Sequence, residues 1–590
     1  ALPSASNADF SRTKNDTSPT PSFETMAELA CDLLVAGSGA SGMTAAIVAA
    51  SKGLKVIVAE KEPVFGGTTA LSGGYLWVPN NPLSQAAGVK DSREAALAYI
   101  RHEAGNQFDE ARAAAFIDAG PQMVAFMEGN TQVHFEASPA FSDYHPDAPG
   151  GTAGGRSILV KPAKASMLGK DIDRLRPPRR ELTLFGLAIG SGKELWHFYR
   201  TFKRPGSFFY VTKRLTKYGL DKALTGRSQM LTNGNALAAR LYRSAREQGV
   251  EVILNSPVKS LLRDGAGAVT GAVVLTPQGP RRVIASKGVV LACCGFPQDI
   301  ARRKQLYKHP SSEGEHVSAA SPGNTGDGLR LAEAIGAATL MDYPNAGAWA
   351  PTSLVPRPDG TKGPFPHFID RGKPGVIAVR RDGRRFVNES NSYHDFVQGL
   401  ERATPPGEAA EAFLVCDHRT IRNYGLGHVK PAPMPLGPSI KSGYLVKGDS
   451  LAELARNAGI DAATLARTVE RINYDVPTGT DTEYGRGSTA YNRFHGDPEV
   501  KPNPCLAPIK DGPFYALRVI PGSIGTFAGL RTDHHARVLD DAGQTIPGLY
   551  AVGNDMASVL GGNYSGGGIT LGPGMTFGYI AGLHAAGLRS

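Results

Sequence analysis

The hydrophobic pattern just after residue 30 predicts two short strands with a small-residue helix between them. Residues 31–36 (CDLLVA) and 54–60 (LKVIVAE) are short apolar runs, typical of buried strands in a parallel sheet. Residues 43–51 (MTAAIVAAS) are uncharged and rich in alanine, which favours a helix that packs closely on such a sheet. Three glycines separate the first strand from the helix. The pattern therefore predicts a β-α-β unit with a glycine-rich turn after its first strand.

The glycine turn has the spacing G-x-G-x-x-G of a dinucleotide-binding turn. Gly37 is expected to make the tight turn, Gly39 to let a pyrophosphate approach the backbone, and Gly42 to let the helix lie close to the sheet. The helix N-terminus offers free N–H groups to the diphosphate, and Glu60 is placed to accept hydrogen bonds from ribose hydroxyls. The predicted contacts of this unit are Gly37, Ser38, Gly39, Ala40, Ser41, Gly42, Glu60 and Lys61.

Further small-residue blocks indicate which dinucleotide is bound. Residues 66–74 (GGTTALSGG) form a loop with hydroxyls that suits the underside of an isoalloxazine ring, and this block resembles the fumarate reductase and 3-ketosteroid dehydrogenase superfamily of flavoproteins. Residues 291–295, 324–327 and 548–554 match other blocks of that superfamily. The resemblance implies non-covalent FAD, since no His or Cys stands in a recognised linkage motif. It adds these cofactor contacts: Gly67, Thr68, Thr69, Ser72, Gly73, Gly74, Val258, Asp327, Gly553, Asn554, Ile569 and Leu571.

The order of these motifs predicts the fold class, an α/β protein with a discontinuous Rossmann-like FAD-binding domain. Because both the N-terminal half and the last part of the chain carry FAD blocks, residues 31–345 and 524–590 are expected to form that domain. Residues 346–523 are expected to be an inserted α+β catalytic domain. A final helix is expected to start near Ile569 and to direct its N-terminus at the flavin. Residues 1–30, rich in Ser, Thr, Asn and Pro, are predicted to be a disordered tail.

Charge and glycine content change this picture in two ways. Glycine is frequent, with 71 of 590 residues, which indicates many close approaches of backbone to backbone or to a ligand. The net charge of +10 lies mainly in residues 161–229, which carry 16 Lys and Arg against 5 Asp and Glu, a balance of +11. Aromatic residues are interleaved there. This basic-aromatic segment (161–229) is interpreted either as a surface lying on an anionic bilayer or as a solvated insertion whose aromatics face the protein.

Other function classes have little support in the sequence. The five cysteines form no C-x-x-C pair, so the sequence indicates no metal site and favours a reducing, cytoplasmic setting, with peripheral contact to the inner face of the membrane as an extension of the bilayer interpretation. No run of eighteen apolar residues occurs. No motif supports nucleic-acid binding.

Three tyrosines stand in motifs that point to the substrate. The stretch R-F-V-N-E, residues 385–389, is followed by Tyr393 where fumarate-reductase-like proteins carry a proton-donating arginine. In residues 561–568 (GGNYSGGG), Tyr564 likewise replaces an arginine that binds carboxylate. Both replacements remove the cations that hold a dicarboxylate. With Tyr144 in the stretch D-Y-H-P-D-A-P-G-G, the pattern resembles the 3-ketosteroid Δ1-dehydrogenases.

The resemblance implies 1,2-desaturation of a 3-ketosteroid to a 3-oxo-Δ1-steroid. Tyr564 and the backbone N–H of Gly568 would polarise the C3 ketone, and Tyr393 would take the C2 proton with Tyr144 hydrogen-bonded to it. The C1 hydride would pass to flavin N5, and an acceptor such as a quinone would reoxidise the flavin. His145 and His394 flank two of the tyrosines and are predicted to be packing residues.

Three alternatives stay open at the level of sequence. The 3-ketosteroid Δ4-(5α)-dehydrogenases also use tyrosines, although the spacing from Tyr564 to Gly568 favours the Δ1 group. A flavin-dependent reductase or dehydrogenase of another cyclic enone or ketone is the second alternative. A non-catalytic flavoprotein or membrane-bound binding partner is the third, and it leaves the three phenols without a role.

Overall fold

The computed structural model describes residues 26–312 and 314–588, so most of the predicted tail lies outside the described residues. The prediction of a disordered tail over residues 1–30 is wrong for residues 27–30, because Ala27–Cys31 is a strand that pairs in parallel with Gly279–Ala285. The predicted strand 31–36 is in fact two strands that meet at Asp32. The Asp32 carboxylate accepts hydrogen bonds from the Lys55 N–H at 2.8 Å and the Ser286 hydroxyl at 2.9 Å, which turns the chain between neighbouring sheets.

The central sheet takes strands from distant parts of the chain. Its order is Glu251–Ile253, Val56–Ala59, Leu33–Ala36, Val289–Leu291, Thr545–Ala551 and Arg537–Leu539. All neighbours pair in parallel except the last two strands. Helices Ala40–Ser51 and Gly572–Ala585 pack against each other beside this sheet, so closely that a Cβ on Gly578 would stand 2.4 Å from the Ser41 carbonyl oxygen. The predicted α/β fold is confirmed.

A second sheet lies within residues 346–523. It is antiparallel, in the order Val376–Val379, Ala412–Asp417, Phe514–Val519 and Val446–Gly448. Helices Tyr393–Ala403, Leu451–Ala458 and Ala462–Asp475 accompany it, and two apolar clusters of its own fill the space between these elements. This α+β unit agrees with the architecture expected for the inserted domain, whose boundaries stay a prediction.

The other elements surround these two sheets. The remaining α-helices are Pro82–Ala86, Arg93–Ala104, Glu110–Asn130, Lys193–Tyr199, Pro205–Thr225, Asn233–Glu247, Ile300–Leu306, Asp327–Glu333, His418–Tyr424, Gly437–Lys441 and Ala490–His495. The 3-10 helices are Thr69–Leu71, Gly105–Gln107, Ala165–Arg174, Arg180–Leu182, Asp370–Gly372, Val476–Thr478 and Gly553–Asp555. Strands Val269–Thr276 and Val258–Arg263 complete the sheet of Ala27–Cys31 and Gly279–Ala285. The three-stranded sheets are Tyr75–Trp77 with Ser157–Val160 and Phe135–Ala137, and Val317–Ser318 with Gly522–Thr526 and Gly347–Trp349. The strand pairs are Ala163–Lys164 with Met230–Leu231, Thr183–Leu184 with Leu187–Ala188, Thr339–Leu340 with Gly529–Leu530, and Thr352–Pro356 with Lys362–Pro366.

The basic-aromatic segment exposes apolar side chains on its outer surface. Helix Pro205–Thr225 buries Val211, Arg214 and Tyr218 on one face, while large apolar side chains on its other faces contact solvent. The exposed large apolar residues of the segment are Phe185, Trp196, Phe202, Phe208, Phe209, Tyr210, Leu215, Leu220 and Leu224. The alternative in which the aromatics face the protein is therefore wrong for most of them. No helix among residues 26–312 and 314–588 is both long and apolar enough to cross a membrane.

A buried ion network holds the backbone that leads into helix Tyr393–Ala403. The Arg385 guanidinium donates to Glu389 at 2.7 and 2.8 Å and to Asp481 at 2.9 Å, and all three side chains are at most 1% exposed. Arg486 also contacts Glu389, at 3.3 Å. The R-F-V-N-E stretch singled out in the sequence therefore acts as a structural support for the helix that carries Tyr393.

Removing this arginine is expected to destabilise the protein strongly. Arg385→Met leaves the buried Glu389 with Arg486 alone and the buried Asp481 without a guanidinium partner among the described residues, and should lower the free energy of unfolding by about 3–5 kcal/mol. The measurement is the urea midpoint of the holoenzyme. The control is Arg93→Met, which breaks the exposed pair of Arg93 with Asp118 and should leave the midpoint unchanged. Equal midpoints for the two variants would contradict the role given to the network.

Candidate active site

A cleft of about 1500 Å³ opens at the carboxyl ends of the central parallel strands. Residues that directly follow three of these strands line it, in the ranges 37–41, 60–62 and 292–294. Ligands of open α/β sheets bind at this edge, because the loops and helix N-termini converge there. From this edge the cleft continues past the inserted unit to the basic-aromatic segment.

The end of the cleft at the glycine turn has the form of a dinucleotide cradle. Gly37 has φ +112°, and a Cβ there would stand 2.3 Å from the Ala292 carbonyl oxygen, so only glycine fits. Beside Gly39 the nearest atom to an added Cβ is the Thr69 hydroxyl at 3.6 Å, which leaves room for a ligand against the backbone. The Glu60 carboxylate accepts hydrogen bonds from the Ser38 N–H at 3.0 Å and the Ser38 hydroxyl at 2.6 Å, at the end of the second strand.

The loop 66–74 forms the neighbouring wall. The Thr69 hydroxyl accepts a hydrogen bond from the Ala40 N–H at 2.9 Å, which joins the loop to the first helix. The Thr68 hydroxyl accepts from the Ser321 N–H at 2.9 Å and the Asn324 amide at 2.7 Å. Open space surrounds Gly67, where no atom lies within 4 Å of an added Cβ. The side-chain donors and open glycines on this wall fit the flavin half of FAD.

Most of the predicted cofactor residues line this cleft. Lys61 forms a 2.5 Å ion pair with Asp327, and Val258, Gly553, Asn554 and Leu571 border the same space. Two predicted residues do not reach it: Gly42 lies behind the turn, where its Cβ would stand 2.4 Å from the Gly37 carbonyl oxygen, and Ile569 is buried elsewhere.

The final helix starts at Gly572, later than the sequence analysis predicted. The residues before it form turns, because Gly568 has φ +100° and continues no helix. Thr570, which the sequence analysis did not single out, takes part in the cleft wall with Leu571.

The three tyrosines from distant motifs converge on one side of the cleft. The Tyr144 and Tyr393 hydroxyl oxygens are 3.0 Å apart, and the ring centroids of Tyr393 and Tyr564 are 5.0 Å apart. The rings of Tyr144 and Tyr564 are stacked with centroids 5.7 Å apart. All three side chains are buried. Burial raises the pKa of Tyr144 and Tyr393 well above the ordinary tyrosine value, and it raises the pKa of Tyr564 as well.

Backbone hydrogen bonds join the motifs of Tyr144 and Tyr564. The Ser565 carbonyl oxygen accepts from the Tyr144 N–H at 2.9 Å and from the Tyr99 hydroxyl at 2.7 Å. Three residues further on, a Cβ at Gly568 would stand 2.4 Å from the Tyr75 carbonyl oxygen. The Gly568 N–H has no acceptor among the residues that the structure describes. This N–H and the Tyr564 hydroxyl are thus two donors in the same short stretch of chain.

Two residues that the sequence analysis missed belong to the tyrosine cluster. Tyr491 has its ring centroid 4.6 Å from that of Tyr144, and it is 1% exposed. Arg371 is buried and donates only to backbone carbonyls, those of His367, Phe368 and Glu389. Burial raises the pKa of Tyr144 and of Tyr491, and the positive charge of Arg371 partly opposes this rise. Neither residue stands in a motif, so nothing local in the sequence marks them.

The two histidines beside the tyrosines are fully engaged in structural contacts. His145 lies between Glu103 at 2.8 Å and Asp395 at 3.0 Å, and although burial opposes the charge, these carboxylates raise the pKa of His145 to about 11. His394 accepts from the Trp349 N–H at 3.1 Å and lies 3.3 Å from the Gly562 carbonyl oxygen. Both ring nitrogens of each histidine therefore have partners, as expected for packing residues.

Comparison with known proteins identifies the family. Residues 32–571 match the model of the FAD binding domain family. The chain belongs to this family. It is 42% identical over 562 residues to 4-oxocyclohex-2-ene-1-carboxylate 5-dehydrogenase of Sinomonas cyclohexanicum, with 95% of each chain covered. It is 38% identical to 3-oxosteroid 1-dehydrogenase of Mycobacterium tuberculosis, covering 94% of this chain and 98% of that protein.

A solved structure agrees with these relatives. The crystal structure of 3-ketosteroid Δ1-dehydrogenase from Sterolibacterium denitrificans in complex with 1,4-androstadiene-3,17-dione superposes with a TM-score of 0.87 at 37% identity, covering 95% of this chain and 99% of that one. The flavoprotein is therefore an FAD-dependent dehydrogenase of the 3-ketosteroid dehydrogenase family, and the prediction of FAD is confirmed. The names of the relatives divide between steroid and single-ring substrates.

FAD is expected to be bound without a covalent link. The purified flavoprotein should be yellow, and heat or acid should release all of its flavin into the supernatant, because no His or Cys stands in a recognised flavin-linkage motif. The measurement is the flavin absorbance of the supernatant and of the washed pellet. Flavin that stays on the denatured chain would show that a covalent bond exists.

Proposed function

We propose that the flavoprotein desaturates a 3-ketosteroid between C1 and C2, giving a 3-oxo-Δ1-steroid. The observation that supports this most is the convergence of Tyr144, Tyr393 and Tyr564 beside the flavin half of the cradle. A neutral ketone needs hydrogen-bond donors and a proton acceptor; a phenol supplies a donor, and a phenol that has lost its proton supplies the acceptor. The apolar walls of the cleft suit a steroid skeleton.

Tyr564 and Gly568 are the groups we propose for the C3 ketone. The Tyr564 hydroxyl and the Gly568 N–H can donate to one carbonyl oxygen, and they stabilise the negative charge that grows there when C2 loses its proton. The positive φ of Gly568 keeps this N–H turned out of the following helix. Both donors are fixed before substrate enters, so little reorganisation is needed during the reaction.

Tyr393 is the group we propose for the C2 proton. Burial raises the pKa of Tyr393, and its contacts with Tyr144 and Tyr564 raise it further, so Tyr393 acts as a base only when a neighbour donates to its phenolate. The Tyr144 hydroxyl, 3.0 Å away, is the donor we propose for that role. The positive charge of Arg371 acts to lower the pKa of Tyr144, against the effect of burial. FAD, when bound, supplies the acceptor for the hydride that leaves C1. The residues of the chain accordingly hold the ketone, remove the proton and exclude water.

Flavin reduction by a defined steroid tests this function. Androst-4-ene-3,17-dione already has the Δ4 double bond, so anaerobic bleaching of the flavin by this steroid reports Δ1 chemistry and argues against Δ4-(5α)-dehydrogenation. Tyr393→Phe should keep flavin and steroid binding but lower kcat by at least about 10², the usual size of an acid–base contribution. Tyr474→Phe, at a 73% exposed position, is the control and should turn over normally. Absence of bleaching with wild-type enzyme would reject the steroid, and normal turnover of Tyr393→Phe would reject the base.

Desaturation of another cyclic ketone is the second candidate function. The relative from Sinomonas cyclohexanicum, whose name specifies an oxocyclohexene carboxylate, covers the whole length of the cleft-forming chain. The same phenols can hold and deprotonate any ring ketone with a hydrogen next to the carbonyl group. Single-ring ketones therefore belong in the same anaerobic assay as the steroid.

We also propose that the basic-aromatic segment lies on an anionic bilayer. Trp196 and Phe202 are 42% and 67% exposed and at the same time line the cleft, so the cleft opens at the apolar surface of this segment. Its Lys and Arg residues add electrostatic attraction of up to about 1 kcal/mol each near an anionic surface. A membrane position would bring apolar steroids, and a quinone as electron acceptor, to the mouth of the cleft.

Vesicle sedimentation tests the membrane proposal. The holoenzyme should sediment with vesicles containing phosphatidylserine, and salt should weaken the association, since exposed charges are screened. Phe209→Asp with Leu224→Asp, at positions 71% and 83% exposed, should abolish it. Tyr474→Asp makes the same type of change at an exposed position outside the segment and should leave sedimentation intact. Wild-type protein that stays in the supernatant at low salt would reject the proposal.

A further inference from the structure

Two lysines without a carboxylate partner among the described residues face the cleft beyond the tyrosines. Lys373 and Lys430 both line it. The Lys373 ammonium donates to the backbone carbonyls of His495 at 2.8 Å and Gly496 at 3.3 Å, and lies 5.1 Å from the centre of the Tyr199 ring. The Lys430 ammonium lies 5.9 Å from the centre of the Phe365 ring. Neither contact neutralises a charge.

The acidic residues nearby are already engaged by other groups. The Asp370 carboxylate accepts from His367 Nδ1 at 2.7 Å and from the Gly427 N–H at 2.8 Å. Lys373 follows Asp370 by three residues, and Lys430 follows Gly427 by three, so both lysines start from backbone close to this carboxylate. Both hydrogen bonds end on one oxygen of Asp370, and its charge acts on both lysines, but neither lysine forms an ion pair with it among the described residues.

A second acid, Asp497, is occupied in the same way. It pairs with Arg200 at 3.3 Å and accepts from the Tyr424 hydroxyl at 2.8 Å, with Lys203 at 3.8 Å. Burial lowers the pKa of Lys373 to about 8, although the Asp497 charge opposes this, and burial lowers the pKa of Lys430 against the charge of Asp370. Ammonium groups in such a site gain from an anionic ligand, which restores the solvation that burial removes.

The position of the lysines relative to the phenols follows from a row of contacts. Tyr491 lies against Tyr144 with ring centroids 4.6 Å apart, and His495 lies against Tyr491 with centroids 4.7 Å apart. The carbonyl of His495 in turn holds Lys373. Two residues, Tyr491 and His495, therefore link Tyr144 to Lys373 by direct contacts. The tyrosine cluster and the two lysines therefore line the same cleft.

We propose that Lys373 and Lys430 form an anion subsite, which binds a carboxylate carried by the substrate at the end away from the reacting ketone. The inference rests on the desaturase function proposed above and specifies its substrate class as ring ketones with a distal carboxylate. The carboxylate has two chemical sources, the side chain of a steroid or the ring of a single-ring ketone. Both present the same charge to the two ammonium groups.

Matched acids and esters test the subsite. The four substrates are a 3-ketosteroid with a side-chain carboxylate, 4-oxocyclohexanecarboxylate, and the methyl ester of each. With the wild-type holoenzyme, at least one acid should have a kcat/KM at least about tenfold above that of its ester, since a charged hydrogen bond contributes about 1.5–3 kcal/mol and 1.4 kcal/mol is a factor of ten. In Lys373→Gln with Lys430→Gln, this acid-to-ester ratio should fall about tenfold or more, mainly through KM. The acid that shows the effect identifies the source of the carboxylate.

Two further measurements distinguish failure of the anion subsite from failure of the desaturase function. Lys259→Gln, at an exposed position away from the cleft, should leave the acid-to-ester ratio unchanged. Binding of each acid to oxidised enzyme is followed by the change in the flavin absorbance bands, which needs no turnover. A lysine-dependent change without any flavin reduction supports the subsite and rejects the desaturase function. Flavin reduction by the esters, with equal ratios in wild type and the double variant, supports the desaturase and overturns the subsite.

Discussion

The active-site cleft depends on backbone segments that approach one another more closely than any side chain permits. At Gly37, Gly568 and Gly572, an added Cβ would stand 2.0–2.4 Å from the carbonyl oxygens of Ala292, Tyr75 and Trp77. These contacts join segments far apart in sequence, and they set the distance between the glycine turn that cradles the dinucleotide and the stretch that carries Tyr564. Because a Cβ at any of the three would separate the segments, the geometry of the whole site follows from this packing.

Burial sets the chemistry of the tyrosine cluster. A phenol in an apolar site holds its proton more strongly, which makes it a good donor and a poor base. The function proposed above divides these two roles between neighbouring residues. Tyr564 stands beside a backbone N–H, while Tyr393 contacts a second phenol, Tyr144, on which the positive charge of Arg371 acts. The Arg371 guanidinium forms no ion pair among the described residues, although the charges of Asp370 and Asp395 act on it. In the proposed mechanism, Tyr144 donates to the Tyr393 phenolate and so offsets part of the cost of burying that charge.

The sequence indicated those parts of the candidate site that lie in local motifs. The turn from Gly37 to Gly42, the loop 66–74 and the three tyrosine motifs could all be recognised, since each needs particular residues at fixed spacing. Tyr491 and Arg371 could not, because tertiary packing alone brings them to Tyr144. Nor could the orientation of helix Pro205–Thr225 be predicted. It has apolar residues on both its buried and exposed faces, so periodicity does not tell which face meets the protein.

The chemical groups that line the cleft differ between its parts, and this difference limits which ligands the cleft can bind. Around the tyrosines the walls are apolar and the hydrogen-bonding groups are neutral, which suits a ketone and excludes the dicarboxylates that need cations. The cleft also carries Lys373 and Lys430, with the carboxylates of Asp370 and Asp497 among its other lining residues, and it reaches the exposed apolar side chain of Trp196. A ring ketone with an anionic distal group can satisfy both ends only in one orientation. If the proposed lysine subsite binds such a substrate, the position of the two ammonium groups also sets which end of the substrate reaches the phenols.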